Sequence, residues 1–290
     1  MRHALALVAM LLALPLFGCN STGGGGGATT GPAAGGGRQV RTLTIDGRQR
    51  RYELYVPPRA ASAAGHPVVI AMHGAGSTIA SLARASGFDA LGMRDGYAIA
   101  YPQGINARFD TRANSSDVRF VRAILDDLDA AIGIDRGRIH ATGFSNGGFL
   151  SYRLAKDLPN TFASIAPVAG LMSKDMLPAG TRTSLLHVHG SADRVVSGGG
   201  RGGYGAFSGA QAWAVQAGCA MPGTDRRPAD ASPLAVLERS WRCPSGVQVG
   251  VVWIEGKGHT WPQESGGWLS RRIWQFFRET GGGATSPAMR

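Results

Sequence analysis

The chain has 290 residues, of which 43% are apolar, and its 30 basic residues exceed its 19 acidic residues by 11. This composition excludes a wholly disordered chain and a polytopic membrane protein, and the chain is long enough to bury a core. Only three of the basic residues are Lys, and the Arg residues occur singly or in pairs without a run of four. The charge therefore indicates a compositional bias, and no recognition motif for nucleic acid accompanies it.

The segment before residue 38 is expected to be an export signal followed by a tether. Residues 4–17 form an apolar run of 14 residues, which is too short to span a bilayer as a helix. The run ends in Leu16-Phe17-Gly18-Cys19, which resembles a bacterial lipobox. We expect a lipoprotein signal peptide at 1–18, and a lipidated Cys19 with a Gly-rich tether over 19–37. An ordinary cleavable signal with an incidental Cys19 is the alternative.

The location follows from this segment. We expect an exported protein that is held on the bacterial envelope by its lipid anchor, or one that is secreted to the periplasm or the extracellular space. We expect it to be a monomer.

Strand and helix signals alternate over the rest of the chain. Two extended runs at 41–45 and 51–56 flank Asp46-Gly47-Arg48, which predicts a hairpin. Apolar runs predict further strands at 67–72, 97–101, 138–142, 164–168, 184–188, 235–241 and 247–254, and helical spacing predicts helices before residue 94 and at 117–132, 146–158, 208–217 and 268–278. This order predicts an α/β fold with a doubly wound, mostly parallel sheet, in a single domain over 38–280 with a flexible tail at 281–290.

A nucleophile motif follows the strand at 138–142. Gly143-Phe144-Ser145-Asn146-Gly147 is a Gly-x-Ser-x-Gly sequence between a strand and a helix, the context that a nucleophile elbow requires. The sharp turn needs Gly on both sides of Ser145, because a side chain there would clash with the turn or the start of the helix. Ser145 is therefore the predicted nucleophile.

The base and the acid are expected at the ends of later strands, in the order Ser, acid, His. Asp193 lies just beyond the strand at 184–188, and His259 lies on a Gly-flanked loop after the strand at 247–254. Other candidates rank lower: His140 and His187 within strands, His73 and His189 at strand ends, His66 at the surface, and Asp225 and Asp230 in a Pro-rich loop.

The oxyanion of an acyl-transfer intermediate needs two hydrogen-bond donors. The N–H of Asn146 is one candidate, since it directly follows the nucleophile. We assign the N–H of Ala75 as the second donor, in the loop after the strand at 67–72, with Gly76 as the close alternative. Trp261, beside His259, is either a wall of the substrate-binding pocket or a packing residue of its loop.

Two cysteines are left if Cys19 carries lipid. Cys219 and Cys243 are then a pair in an oxidising compartment, where a disulfide would stabilise the fold by about 3 kcal/mol. Two unpaired thiols are the alternative. No spacing of Cys and His suggests zinc, and we expect neither a metal nor an organic cofactor.

Several blocks of the chain together resemble the family of polyhydroxybutyrate depolymerase-like, feruloyl and acetylxylan esterases of the α/β-hydrolase superfamily. The blocks are His73-Gly74-Ala75-Gly76, Asp117-Val118-x-Phe120, residues 134–148, residues 163–170, His189-Gly190-Ser191-Ala192-Asp193, residues 213–219 and Gly258-His259-Thr260-Trp261-Pro262. The resemblance spans about residues 40–278 and implies the triad Ser145, Asp193 and His259. It also implies a disulfide between Cys219 and Cys243.

The sequence departs from this family after the acid. A Val-Pro-Tyr-like stretch is usual there, whereas this chain has Val196-Ser197-Gly198 and a loop over 198–209 with seven glycines. That loop is expected to border the substrate site, so the family resemblance does not define which ester is preferred. The 253 residues after residue 37 leave no room for the separate binding module of polymer-degrading members.

These observations predict a serine carboxylic-ester hydrolase that acts through an acyl-enzyme on polyhydroxybutyrate-type oligomers or on feruloyl or acetyl esters. One alternative is a prolyl-oligopeptidase-like serine peptidase, which shares the fold and the triad order but usually carries a gating domain. A second alternative is a non-catalytic, envelope-anchored binding lipoprotein.

Overall fold

Ten strands form one mixed sheet in the computed structural model, which describes residues 37–200 and 203–281. The strands are β1 (Gly37–Ile45), β2 (Arg48–Val56), β3 (His66–Met72), β4 (Ala98–Pro102), β5 (Ile134–Phe144), β6 (Ser164–Val168), β7 (Ser184–Gly190), β8 (Thr224–Arg226), β9 (Val236–Arg242) and β10 (Gln248–Ile254). They lie in the order β1-β2-β4-β3-β5-β6-β7-β10-β9-β8. The five central pairings from β4 to β10 are parallel, which confirms the predicted doubly wound, mostly parallel sheet.

Six α-helices cover the two faces of the sheet within the described residues. They are α1 (Ile79–Ser86), α2 (Phe88–Asp95), α3 (Ser116–Ile132), α4 (Asn146–Asp157), α5 (Ala206–Gln216) and α6 (Glu264–Glu279). Alternate residues of β3 enter two different cores, because successive side chains of a strand point to opposite faces. Ile70 belongs to the core that includes residues of α3, α4 and α5, and Val69 belongs to the core that includes residues of α1, α2 and α6.

The N-terminal hairpin turns at Asp46-Gly47, as the sequence predicts. Ile45 pairs with Arg48, and the two turn residues have φ values of 50° and 75°, which suit a two-residue hairpin turn. Both strands are longer than their apolar runs suggested. The additional residues, 37–40 and 48–50, are mostly polar and bury no apolar side chain, so they give no hydrophobic signal, but they still take part in the ladder.

Two expectations about single residues are wrong. His66 is not at the surface: it is buried at the start of β3, where its ring contacts the Gly96 carbonyl oxygen. Asp225 is not in a loop but on the short edge strand β8, where it forms an ion pair with Arg239. The residues of β8 are all exposed, so no apolar pattern marks that strand.

A disulfide joins Cys219 and Cys243, which confirms the pairing implied by the family resemblance. Cys219 follows α5 and Cys243 follows β9, 24 residues later in the chain. A closed loop of this size is expected to stabilise the fold by about 3 kcal/mol.

A buried ion pair fixes the loop between β4 and α3. The Arg50 guanidinium donates to Asp117 Oδ1 at 2.5 Å, and it lies over the ring of Phe120, 4.3 Å from the ring centre. The other oxygen of Asp117 accepts the Asp110 N–H at 2.7 Å. Removing one partner of a buried ion pair typically costs about 3–5 kcal/mol, because it leaves an uncompensated charge. These contacts give the Asp117-Val118-x-Phe120 block a structural role.

The predicted signal peptide, Cys19 and almost all of the tether lie outside the described residues, and so do residues 282–290 of the predicted tail. Among the described helices, none combines the length and the apolar character that a membrane crossing would need.

Acid should destabilise the fold through His140, which is fully buried on β5 and stacks on Phe277. Burial, aided by the charge of Arg138, lowers the pKa of His140 from 6.5 to about 3. Between pH 6.5 and 3, His140 is therefore protonated in the unfolded chain and neutral in the folded chain. The contribution of neutral His140 to the free energy of unfolding is complete above pH 6.5 and is lost as the pH falls towards 3. Urea unfolding should give a lower free energy at pH 5 than at pH 7.5. His140→Gln should make this slope shallower, and an unchanged slope would contradict the assignment.

Candidate active site

Ser145 occupies a strained turn between β5 and α4. Its φ of 51° and ψ of −111° lie outside the usual regions for a residue with a side chain, at a cost of about 1–3 kcal/mol. The Ser145 N–H donates to the Val168 carbonyl oxygen at 2.8 Å, so β6 holds the turn. The first turn of α4 starts at once, because the Phe149 N–H donates to the Ser145 carbonyl oxygen.

The glycines of the motif are required by crowding at this turn. A Cβ at Gly143 would overlap the backbone of Gly147. A Cβ at Gly147 would overlap the Met72 carbonyl oxygen, so the clash there is with the end of β3 and not with the turn itself. A Cβ at Gly170 would come 2.7 Å from the Ser145 carbonyl oxygen. The backbones of β3, β5 and the segment after β6 thus meet around Ser145.

His259 and Asp193 lie in hydrogen-bond contact with Ser145 and with each other. The His259 Nε2 atom is 2.9 Å from Ser145 Oγ, and the His259 Nδ1 atom is 2.7 Å from Asp193 Oδ2. The Asp193 side chain is fully buried and the His259 side chain is 15% exposed. The structure therefore brings together the three residues that the sequence selected, although they come from three separate strand ends.

Asp193 is held by more than His259. Its Oδ1 atom accepts the N–H groups of Val195 and Val196 at 2.9 and 2.8 Å, which closes a tight turn after β7. Both carboxylate oxygens therefore have defined partners. A carboxylate that is fixed in this way can orient an imidazole ring and stabilise its charged form.

The loops that carry Asp193 and His259 are bound to each other. The Ala192 N–H donates to the Lys257 carbonyl oxygen at 2.9 Å, and the Gly256 N–H donates to Ser191 Oγ at 2.8 Å. A Cβ at Gly190 would overlap the Lys257 carbonyl oxygen, so the close approach of the two loops depends on this glycine. The ring of Phe144 lies 4.9 Å from the ring of His259 and supports it from the elbow side.

One expected oxyanion donor lies in the elbow, and the other lies in the loop that packs against it. Within residues 37–200 and 203–281, the backbone N–H groups of Ala75 and Asn146 have no backbone acceptor. The N–H of Gly76, the alternative donor, already donates to the Ala107 carbonyl oxygen at 2.8 Å, so it is not free to bind an oxyanion. A Cβ at Gly74 would touch the Phe144 ring at 3.0 Å, so the Ala75 loop lies against the elbow.

His73 fixes the orientation of this loop. The Gly104 N–H donates to His73 Nε2 at 3.1 Å, so Nε2 carries no proton and Nδ1–H donates to the Gly74 carbonyl oxygen at 2.8 Å. Burial lowers the pKa of His73, which keeps the ring neutral. The carbonyl that it holds belongs to the same peptide plane as the Ala75 N–H. His73 thus shapes the loop that carries the Ala75 N–H.

The Asn146 side chain has a role that the sequence analysis did not identify. Its Oδ1 atom accepts the Phe109 N–H at 2.7 Å, and its Nδ2 donates to the Phe109 carbonyl oxygen at 3.1 Å. These two bonds attach the loop after β4 to the first residue of α4. Because both partners are backbone atoms far away in sequence, no local motif signals this contact.

Trp261 lies in the interior. Its indole ring is 6% exposed, packs edge-on against Phe88 at 5.8 Å, and donates Nε1–H to Ser270 Oγ at 3.1 Å. These contacts match the packing alternative for this residue, since they use its polar atom and bury its ring. Asp230, the other low-ranked acid, accepts the Nε1–H of Trp268 at 3.1 Å.

A cavity of about 340 Å³ is built from residues next to the elbow and the acid. Phe149 lies one helical turn after Ser145, and Val195 and Val196 follow Asp193. Gly200, Gly203 and Tyr204 of the Gly-rich segment also line the cavity. That segment is shorter than expected, because α5 already begins at Ala206.

Among the described residues, no group of three or more His, Cys, Asp or Glu side chains could hold a metal ion.

Sequence relatives of the chain are esterases by name. A protein named as an esterase, NocK of Nocardia uniformis subsp. tsuyamanensis, is 31% identical over 254 residues, which cover 77% of this chain and 73% of that protein. The bifunctional acetylxylan esterase/xylanase XynS20E of Neocallimastix patriciarum is 24% identical over 83% of this chain, and feruloyl esterase B of Piromyces equi is 27% identical over 61%. The matched part is 36% of each of these two proteins. No protein-family model matches the chain.

Solved structures agree on the fold. The acetyl xylan esterase from Aspergillus awamori superposes with a TM-score of 0.64 at 15% identity, over 83% of this chain and 100% of that one. The feruloyl esterase module from Clostridium thermocellum complexed with sinapinate gives a TM-score of 0.59 at 11% identity, over 90% and 93%. The architecture is that of an α/β-hydrolase. Within that class, the chain belongs to the esterase family that includes NocK.

The crowding at the elbow can be tested with Gly147→Ala. The added Cβ would overlap the Met72 carbonyl oxygen, so the backbone that carries Ser145 must move. A displacement of about 1 Å at a reacting group typically lowers the rate by on the order of 100-fold. Gly37→Ala is the control, because a Cβ there has no atom within 4 Å. We expect kcat on a chromogenic ester to fall only in Gly147→Ala, and a folded Gly147→Ala protein with unchanged kcat would refute the crowding argument.

Proposed function

We propose that the chain hydrolyses carboxylic esters through an acyl-enzyme formed on Ser145. The observation that carries this proposal is the continuous hydrogen-bond chain from Ser145 Oγ through His259 to Asp193, at 2.9 and 2.7 Å. A Ser hydroxyl is a weak nucleophile by itself, and an adjacent imidazole that can take its proton makes it reactive. Membership of the esterase family supports the same chemistry.

The first half of the reaction forms the acyl-enzyme. Ser145 Oγ attacks the ester carbonyl carbon while its proton moves to His259 Nε2. Asp193 Oδ2 accepts the His259 Nδ1–H, which orients the ring and stabilises its positive charge. The negative charge on the former carbonyl oxygen is stabilised by the N–H groups of Ala75 and Asn146. The bond to the alcohol then breaks, and the alcohol leaves with the proton from His259.

The second half returns the enzyme to its starting state. Water attacks the acyl carbon, and His259 Nε2 takes a proton from the water. The tetrahedral intermediate uses the same two N–H donors. When it collapses, the bond to Ser145 Oγ breaks, Ser145 recovers its proton from His259, and the carboxylic acid leaves. Every proton transfer uses a side chain of this chain, and the proposed steps require no cofactor.

The cavity beside the elbow supports an acyl group with an apolar body. Phe149, Leu171, Met172, Val195 and Tyr204 give it aromatic and aliphatic walls, and its volume of about 340 Å³ is at the small end for ligand pockets. We propose feruloyl esters, acetyl esters or short hydroxybutyrate oligomers as substrates, the classes that the sequence blocks imply. The names of the acetylxylan and feruloyl esterase relatives support this range.

Ser145→Ala tests the mechanism. We expect loss of labelling by a fluorophosphonate probe and a fall in turnover on the order of a thousandfold or more, since loss of a Ser nucleophile disables the whole triad. Ser81→Ala is the control, because Ser81 is an exposed serine on α1. Turnover should be compared on methyl ferulate, an acetylated xylose, a hydroxybutyrate trimer and a prolyl anilide. Full activity in Ser145→Ala would refute the mechanism, and a preference for the anilide would favour the peptidase alternative.

We also propose that the protein is exported and anchored through a lipidated Cys19. The support is the apolar run at 4–17 and the lipobox-like Leu16-Phe17-Gly18-Cys19, both outside the described residues. Expression of the full chain in a bacterium with a palmitate analogue should label the wild type and not Cys19→Ser, and the variant should leave the membrane fraction. Equal labelling of both proteins would exclude this anchor.

A further inference from the structure

Behind Asp193 lies a buried chain of polar side chains that the proposed reaction does not use. Tyr152 Oη is 2.7 Å from His187 Nδ1, and His187 Nε2 is 3.2 Å from His189 Nδ1. His189 Nε2 then lies 2.7 Å from the Val196 carbonyl oxygen. Tyr152, His187 and His189 are each at most 1% exposed. This row of hydrogen-bonded side chains runs from α4, the helix that follows Ser145, to the turn that contains Asp193.

The donors and acceptors of this chain have one consistent order. A carbonyl oxygen only accepts, so His189 Nε2 carries the proton that is donated to Val196. In a neutral ring Nδ1 is then an acceptor, so it takes the Nε2–H of His187. His187 Nδ1 is an acceptor in turn, and it takes the hydroxyl proton of Tyr152.

The surroundings keep all three groups uncharged. Burial lowers the pKa of His187 and of His189, and burial raises the pKa of Tyr152. A proton on His189 would also place a positive charge next to His259, which becomes positive during the reaction. The rings of His187 and Trp253 both stack with the His189 ring, with centroid distances of 5.3 and 6.1 Å.

The protonated nitrogen of His189 contacts both parts of the Asp193 turn. It is 2.7 Å from the Val196 carbonyl oxygen and 3.4 Å from Asp193 Oδ2, the oxygen that meets His259. Val196 in turn donates its N–H to Asp193 Oδ1 at 2.8 Å. Loss of the His189 N–H would therefore release the backbone of Val196, whose N–H binds one carboxylate oxygen, and remove a neighbouring donor from the other.

We propose that His189 is a positioning residue of the active site: its Nε2–H, held in one tautomer by His187 and Tyr152, keeps the Asp193 carboxylate aligned with His259. The proposal rests on the mechanism proposed above. It assigns to the buried chain a function in turnover beyond packing. Because His189 acts through Asp193, its loss should lower kcat and leave KM nearly unchanged.

The test compares two replacements of His189. His189→Phe keeps a flat ring beside Trp253 but has no N–H, whereas His189→Gln keeps an N–H donor at a similar distance from the backbone. We expect kcat per fluorophosphonate-titrated site to fall about 10- to 100-fold in His189→Phe, as for a small misplacement of a catalytic group. His189→Gln should recover most of this loss.

The pH profile distinguishes positioning from a merely structural role. The acidic limb of kcat/KM reports protonation of the base in the free enzyme, and a well-placed carboxylate stabilises the protonated ring. We therefore expect the acidic limb to move in His189→Phe and not in His189→Gln. His140→Gln is the control, because it alters another buried histidine that contacts Ser164 on the neighbouring strand, and its limb should not move.

If a His189 variant does not fold, Tyr152→Phe still tests the proposal, because this change removes only one hydroxyl. It should lower kcat by less than His189→Phe does. The inference is overturned if folded His189→Phe or Tyr152→Phe has the kcat and acidic limb of the wild type, or if His189→Gln is as impaired as His189→Phe. Failure of the mechanism itself is seen separately, as turnover that does not depend on Ser145.

Discussion

The left-handed backbone at Ser145 is the constraint on which the rest of the site depends. A residue with a side chain avoids this conformation unless its surroundings enforce it. Here Val168 on β6 holds the Ser145 N–H, and Gly143 and Gly147 allow the turn to press against its own helix and against β3. The strain is thus balanced by the packing of the central strands. These contacts present Ser145 at the carboxyl edge of the sheet.

The other functional groups reach this edge through buried polar contacts. The Asn146 side chain attaches the loop that Arg50 and Asp117 also fix, so the region around the elbow is tied to the N-terminal hairpin. On the opposite side, Tyr152 and the two histidines of β7 connect α4 to the turn at Asp193. Buried polar networks of this kind are costly when incomplete and rigid when satisfied. These contacts therefore connect the elements that carry the proposed catalytic groups to neighbouring elements of the fold.

Several arginines of this Arg-rich chain have structural roles within the described residues. Arg41 pairs with Asp127, Arg50 with Asp117, and Arg272 with Glu238, and in the last two pairs both partners are buried. These arginines connect separate elements of the fold. The net charge of +11 is consistent with the compositional bias inferred from the sequence. A basic recognition surface would instead need many arginines on one exposed face.

The sequence by itself determined the class of fold, the disulfide pairing implied by the family resemblance, and the residues to examine in the site. Continuous apolar runs mark the central strands because those strands are buried on both faces, and the ends of several of these strands carry candidate residues. The exposed strand β8 and the polar ends of the hairpin strands escaped prediction, because they form backbone hydrogen bonds without burying a pattern of apolar residues.

Only the tertiary structure decided how the site is assembled. The contact between Ser145 and His259 joins residues 114 positions apart, and its distance depends on the packing of whole strands and loops. The packing of strands and loops also decides that the Gly76 N–H donates to Ala107 and that Trp261 lies in the interior. It likewise brings together the hydrogen-bonded side chains around His189. Such contacts leave no periodic trace in the sequence, because the partner of each polar group is chosen by the three-dimensional path of the backbone.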